Sequence, residues 1–99
     1  MAIMQRIVIK NADIVTDNAV LQNHCLLIEG GQILRIGDSP ASVGATSRDE
    51  IVDAEGRFLC PGFIDLHIHG VHAWLIDNGP ESLGQICRIL PQYGVTGFL

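Results

Sequence analysis

Two histidines separated by a single residue, His67 and His69, are the most chemically suggestive pair in the sequence. Side chains of a β-strand alternate between its two faces, so residues i and i+2 project to the same side, roughly 6.5–7 Å apart at the backbone. Imidazoles placed this way can converge on one divalent ion, each nitrogen about 2.0–2.1 Å from it. The segment from Phe63 to His69 reads as a strand, with Ile64, Leu66 and Ile68 on one face and Asp65, His67 and His69 on the other. Core packing alone does not ask for a face of metal-competent groups opposite a greasy one. A bare His-x-His is more often two ordinary histidines, one packed and one solvated. The Pro61-Gly62 entry, Asp65 and Gly70 instead fit a strand that delivers ligands at its C-terminal end, where barrels of alternating strands and helices build their active sites. His67 and His69 are therefore the candidate metal ligands.

The other reactive side chains ask for less. Asp65 shares the inward face one pleat deeper, which suits a structural or supporting role. His72 reads as a solvated loop histidine, His24 as a surface residue at the start of a strand, and Trp74 as local packing. Cys60 next to Pro61 is expected to be buried, with no basic neighbour to activate its thiol. Cys25, Cys60 and Cys87 are widely spaced, odd in number and form no CxxC pair. Nothing at the N-terminus resembles a charged region followed by an apolar run. Reduced thiols and a cytoplasmic setting are the expectation.

The elements that must position these groups follow from composition and periodicity. Apolar residues make up 47% of 99 residues and charged residues 17%, as in a globular protein. The net charge of −5 is spread along the chain and offers no clustered Lys and Arg for a nucleic acid. No window approaches the ~20 uninterrupted apolar residues of a membrane span. Arg6 to Val15 reads as a strand with a bend at Asn11, followed by a turn at Asp17-Asn18. Cys25 to Glu29 and Gln32 to Gly37, joined by Gly30-Gly31, predict a β-hairpin, because two glycines accept the positive φ angles of a tight turn. The consecutive Leu26, Leu27 and Ile28 imply that this hairpin is covered on both faces. Asp38 to Asp49 reads as loop, and Glu50 to Asp53 as another short strand before a turn at Glu55-Gly56.

After Arg57 the pattern changes from short strands to strand, helix and strand. Pro80-Glu81 marks a first helical turn, and Leu83, Ile86, Cys87 and Leu90 form a stripe expected to pack on the sheet. Pro91 should kink or end the helix, with Gly94 just beyond it. Val95 to Leu99 begins a second strand, which a strand–helix–strand unit places parallel to the first. A parallel pair needs covering on both faces, and no helix remains to cover the second strand. The expectation is a truncated chain.

The segment Pro61-Gly62-Phe63-Ile64-Asp65-Leu66-His67-Ile68-His69 resembles the first barrel strand of the amidohydrolase superfamily, whose members carry a metal-binding His-x-His there. The preceding Ile28-Glu29-Gly30-Gly31-Gln32-Ile33 hairpin and the Val52-Asp53-Ala54-Glu55-Gly56 approach resemble the small β-sandwich that precedes the barrel. The resemblance implies an α/β fold class. Residues 1–57 would form the N-terminal part of a β-sandwich, and residues 58–99 the first strand-helix-strand of an incomplete metal-dependent (β/α)8 TIM barrel. His67, His69 and Gly70, together with the run from Leu90 to Leu99, are most similar to the N-acetylglucosamine-6-phosphate deacetylases. Where those enzymes continue with a glycine-rich stretch, this chain has Val71-His72-Ala73-Trp74-Leu75-Ile76-Asp77, which leaves the substrate open.

The resemblance implies a metal cofactor, zinc first and iron or another transition metal second, with His67 and His69 as its ligands. In the family reaction a metal-activated water attacks an amide carbonyl. An aspartate late in the barrel takes the proton and passes it to the leaving amine. The implied partner is a small amino-sugar phosphate, N-acetylglucosamine 6-phosphate, giving glucosamine 6-phosphate and acetate, in a parent enzyme expected to be a homo-oligomer. The catalytic aspartate, the other ligands and the phosphate-binding groups would lie beyond Leu99, so these 99 residues alone are expected to be inactive. A dihydroorotase-, hydantoinase- or deaminase-like enzyme acting on a cyclic amide or nucleobase stays open, as does a non-catalytic β-rich binding piece.

Overall fold

A computed structural model describes residues 4–99, so residues 1–3 of the segment expected to form a sandwich lie outside the described residues. The arrangement is mixed α/β with strands dominating, in two compact units, Met1–Cys60 and Pro61–Leu99. Among the described residues, no helix is long and apolar enough to cross a membrane.

The first unit is one sheet of β1 (Arg6–Val15), β2 (Val20–Glu29), β3 (Gln32–Gly37), β4 (Glu50–Asp53) and β5 (Phe58–Leu59). Its order is β3-β2-β1-β4, with β5 also on β1. β2 is antiparallel to both β1 and β3, whereas β4 and β5 run parallel to β1. The expected hairpin is present: Glu29 pairs with Gln32, and Gly30 and Gly31 hold φ of 56° and 79°. Positive φ at both central residues matches the right-handed twist of the strands they join. β2 starts earlier than the sequence suggested, so His24 lies inside it, opposite Ala12, with Nδ1 2.7 Å from the Gln22 carbonyl oxygen.

The run of apolar residues in β2 is covered on both sides, as its lack of alternation implied. Val8, Cys25 and Leu27 pack with Val43, while Ala12, Ile14 and Leu26 form a second cluster. Val8 and Val43 are 0% exposed. Val43 comes from the irregular segment between β3 and β4, which Arg6 ties down. Arg6 Nε donates to Asp49 Oδ1 at 2.9 Å, and Nη2 donates to the Gly44 carbonyl at 3.0 Å. The Asp49 side chain is only 1% exposed. Hydrogen bonds from Arg6 and from the Thr46 N–H hold its carboxyl below the ordinary range.

Asn11 bends β1 as expected, with φ of 54° and a break in register between Ile9 and Ala12. Its amide donates to Asp53 Oδ1 at 3.0 Å, and the Glu55 N–H donates to the same oxygen at 2.8 Å. Both bonds lower the Asp53 carboxyl, that from Asn11 more. The bend lets the chain leave β1 at Asp53 and rejoin it at Phe58, so the first unit runs on to Cys60.

The second unit contains β6 (Phe63–Asp65), β7 (Gly70–Val71), β8 (Trp74–Leu75), a 3₁₀ turn (Ile76–Asn78), α1 (Pro80–Ile89), a second 3₁₀ turn (Leu90–Tyr93) and β9 (Val95–Phe98). Pro80 opens α1 with its φ already helical, Glu81 sits in the first turn and Arg88 in the last, in accord with the helix dipole. The segment ends at Gly94, whose φ of 82° lets its N–H reach the carbonyls of Leu90 and Pro91. β9 then pairs parallel to β6, Phe63 with Val95 and Asp65 with Phe98. The close approach depends on Gly62, where any Cβ would collide with the Thr96 side chain.

Three local expectations are corrected. The strand meant to run from Phe63 to His69 stops at Asp65, because the Asp65 carboxylate accepts the His67 N–H at 3.0 Å and bends the chain. In the helical stripe only Ile86 and Leu90 are buried, whereas Leu83 and Cys87 are exposed. Cys60 is exposed rather than packed, and all three thiols are free.

Candidate metal-ligand pair

The bend after β6 determines the geometry of the histidines. On an extended strand, His67 and His69 would point the same way with parallel offsets. Here the chain turns between them, and the two Nε2 atoms come to 3.0 Å of each other. The rings meet edge to face, with centroids 4.8 Å apart and planes at 81°. At 3.0 Å one ring donates its N–H and the other accepts it.

This separation can be tested against a metal. Two nitrogens about 2.0–2.1 Å from one tetrahedral ion stand roughly 3.3 Å apart, so the observed pair is within a few tenths of an ångström of a two-ligand set. Both imidazoles are exposed, which leaves their ligating atoms reachable. The pair fits a cation without rearrangement of the backbone. It is nevertheless only a pair: among the described residues, no three His, Cys, Asp or Glu side chains converge. Asp65 supplies no further ligand to this grouping; one carboxylate oxygen is engaged by the His67 N–H, which fixes the start of the ligand segment.

The pair opens onto a cleft of about 470 Å³ lined by Asp65, His67, His69, Val71, Leu90 and Tyr93. His72 is exposed, as expected of a loop histidine, but it is not solitary: its Nε2 lies 3.4 Å from the Tyr93 hydroxyl. Trp74 is half-buried in β8, opposite Val71. Tyr93 is the residue that sequence reasoning missed. It lies 24 positions beyond His69, and only the return of the chain through α1 brings it to the cleft. No local spacing could have signalled that.

No family model matches the chain. A dihydroorotase of Listeria welshimeri is 40% identical over 80 residues, covering 76% of this chain and 18% of the dihydroorotase. An adenine deaminase of Moorella thermoacetica is 46% identical over 71 residues, 72% of this chain and 11% of the deaminase. Among solved structures, an N-acetylglucosamine-6-phosphate deacetylase from Pasteurella multocida matches with a TM-score of 0.73 and 24% identity, over 95% of this chain and 24% of that one. At that identity the likeness is one of fold. The chain spans less than a fifth of the length of these two curated relatives. Together the likenesses support a relationship to the N-terminal part of amidohydrolase-superfamily domains.

Proposed function

We propose that this chain is the N-terminal segment of a metal-dependent amidohydrolase in which His67 and His69 are two protein ligands of one divalent cation, zinc being the ion expected. The observation that carries this reading is the 3.0 Å approach of the two Nε2 atoms on a segment anchored by Asp65. When bound, such a cation supplies Lewis acidity toward an amide carbonyl and an attacking water. The chain's own residues do the holding. His67 and His69 bring their Nε2 atoms together, and Asp65 fixes the backbone from which they project. Further ligands and the proton-transferring carboxylate belong, on this reading, to a longer enzyme.

For the substrate, the proposal is the acetamide of N-acetylglucosamine 6-phosphate, hydrolysed with one water to glucosamine 6-phosphate and acetate. The resemblance carried by His67, His69, Gly70 and the run from Leu90 to Leu99 supports it. A second reading, a cyclic amide or a nucleobase, is favoured by the higher identities to a dihydroorotase and an adenine deaminase. Release of acetate, of a ring-opened product or of ammonia by the longer enzyme separates the substrates.

The metal assignment is testable on the 99 residues. Zinc titration followed by calorimetry should show weak binding, because stable sites use three or four protein ligands. Binding should be lost in His67→Ala and in His69→Ala. Undiminished binding in both variants would remove the assignment.

A further inference from the structure

Tyr93 is the chain's single tyrosine and stands in the 3₁₀ turn that ends at Gly94. Packing does not account for its position, since it is 61% exposed. Yet its side chain lines the same cleft as His67 and His69, and its ring lies 6.2 Å from that of His72, hydroxyl toward Nε2. His72 is equally unexplained by its own element. It sits in the two-residue turn between β7 and β8 with φ of 52°, a conformation that Asn or Gly would adopt with less strain. The turn tolerates a histidine without requiring one, and the core gives no reason for a phenol. What His72 meets is Tyr93, and Tyr93 in turn lines the cleft.

We propose that Tyr93 is a ligand-facing residue of the imidazole-pair cleft and that His72 is the positioning residue that holds its ring there. A phenolic hydroxyl both donates and accepts, so the class of ligand it would meet carries a polar oxygen, such as the carbonyl of an amide, beside the cation. This inference rests on the metal assignment above.

The test uses the full 99-residue chain with labelled tyrosine and histidine, titrated with cobalt(II) and followed by NMR. The paramagnetic ion should broaden the Tyr93 ring signals together with those of His67 and His69, and all of these responses should vanish in His67→Ala and in His69→Ala. His72→Asn keeps a residue at ease in the left-handed turn but shortens the side chain away from Tyr93. In that variant the His67 and His69 responses should persist while the Tyr93 response falls. If the two imidazoles respond and Tyr93 stays sharp, the inference is overturned and the metal assignment stands. An unchanged Tyr93 response in His72→Asn overturns the positioning role of His72. Silence from the imidazoles of the unsubstituted chain overturns the metal assignment and the inference together.

Discussion

The two units spend their apolar residues differently. In Met1–Cys60, β1 and β2 bring Val8, Ala12, Ile14, Cys25, Leu26 and Leu27 to near-complete burial, and Val43 closes one face from a loop. In Pro61–Leu99 only Ile86 and Leu90 among the large apolar residues are buried, while Ile64 and Leu66 are 59% and 74% exposed. The first unit carries a core of its own. The second arranges residues around a cleft and leaves Ile64 and Leu66 uncovered. Fold stability is concentrated in one unit and the candidate chemistry in the other.

That contrast can be broken most forcefully at Leu27. Leu27→Ala should destabilise the first unit by about 2–5 kcal/mol, the range for truncating a buried leucine, read by amide exchange of β1 and β2. A cost below that range would mean that the core is looser than its burial indicates. The next effect belongs to the second unit. At Gly70 a Cβ would meet the Trp74 carbonyl oxygen, so Gly70→Ala should cost roughly 1–3 kcal/mol and open the β7–β8 turn. Exchange protection at Ile76, whose N–H donates to the His69 carbonyl at 2.9 Å, is the readout.

Acid should sharpen the contrast from the other side. Asp49 and Asp53 have folded pKa values below their unfolded ones, so each adds stability above the unfolded value and loses it as pH falls through the folded one. Loosening on acidification should therefore begin at the loop that carries Val43. Asp49→Asn should remove the share of that pH dependence that belongs to Asp49 and leave that of Asp53, as seen in denaturant melts repeated across the acid range. The smallest effect is expected at Leu66. Leu66→Ala should change stability by no more than about 0.5 kcal/mol, as for other surface positions. A larger loss would show that this apolar side chain is covered in the protein as it exists.

Most of the first unit was legible because its signals are local. Gly30-Gly31 encodes its own turn, the unbroken Leu26-Leu27-Ile28 declares two covered faces, and Asn11 is a residue that tolerates a bend. The role of Val43 was not legible, since a lone valine in a polar stretch looks like any loop residue until Arg6 draws the loop over it. In the second unit, the pairing of His67 with His69 could be read from spacing, but its cause could not. Alternation of apolar and polar residues suggested a pleat as far as His69. The side chain of Asp65 competes for the backbone and ends the strand early. Tyr93 was illegible for the opposite reason, being remote in sequence and brought near only by the path of the chain.

The 3.0 Å contact between the imidazoles also bears on how a cation would be received. When neutral, the two rings share one hydrogen between their Nε2 atoms. Loading the pair requires no net loss of that hydrogen. The donor ring need only change tautomer, moving its hydrogen to Nδ1, where on an exposed ring water accepts it. Cation and hydrogen would thus exchange places within one side chain of the proposed pair.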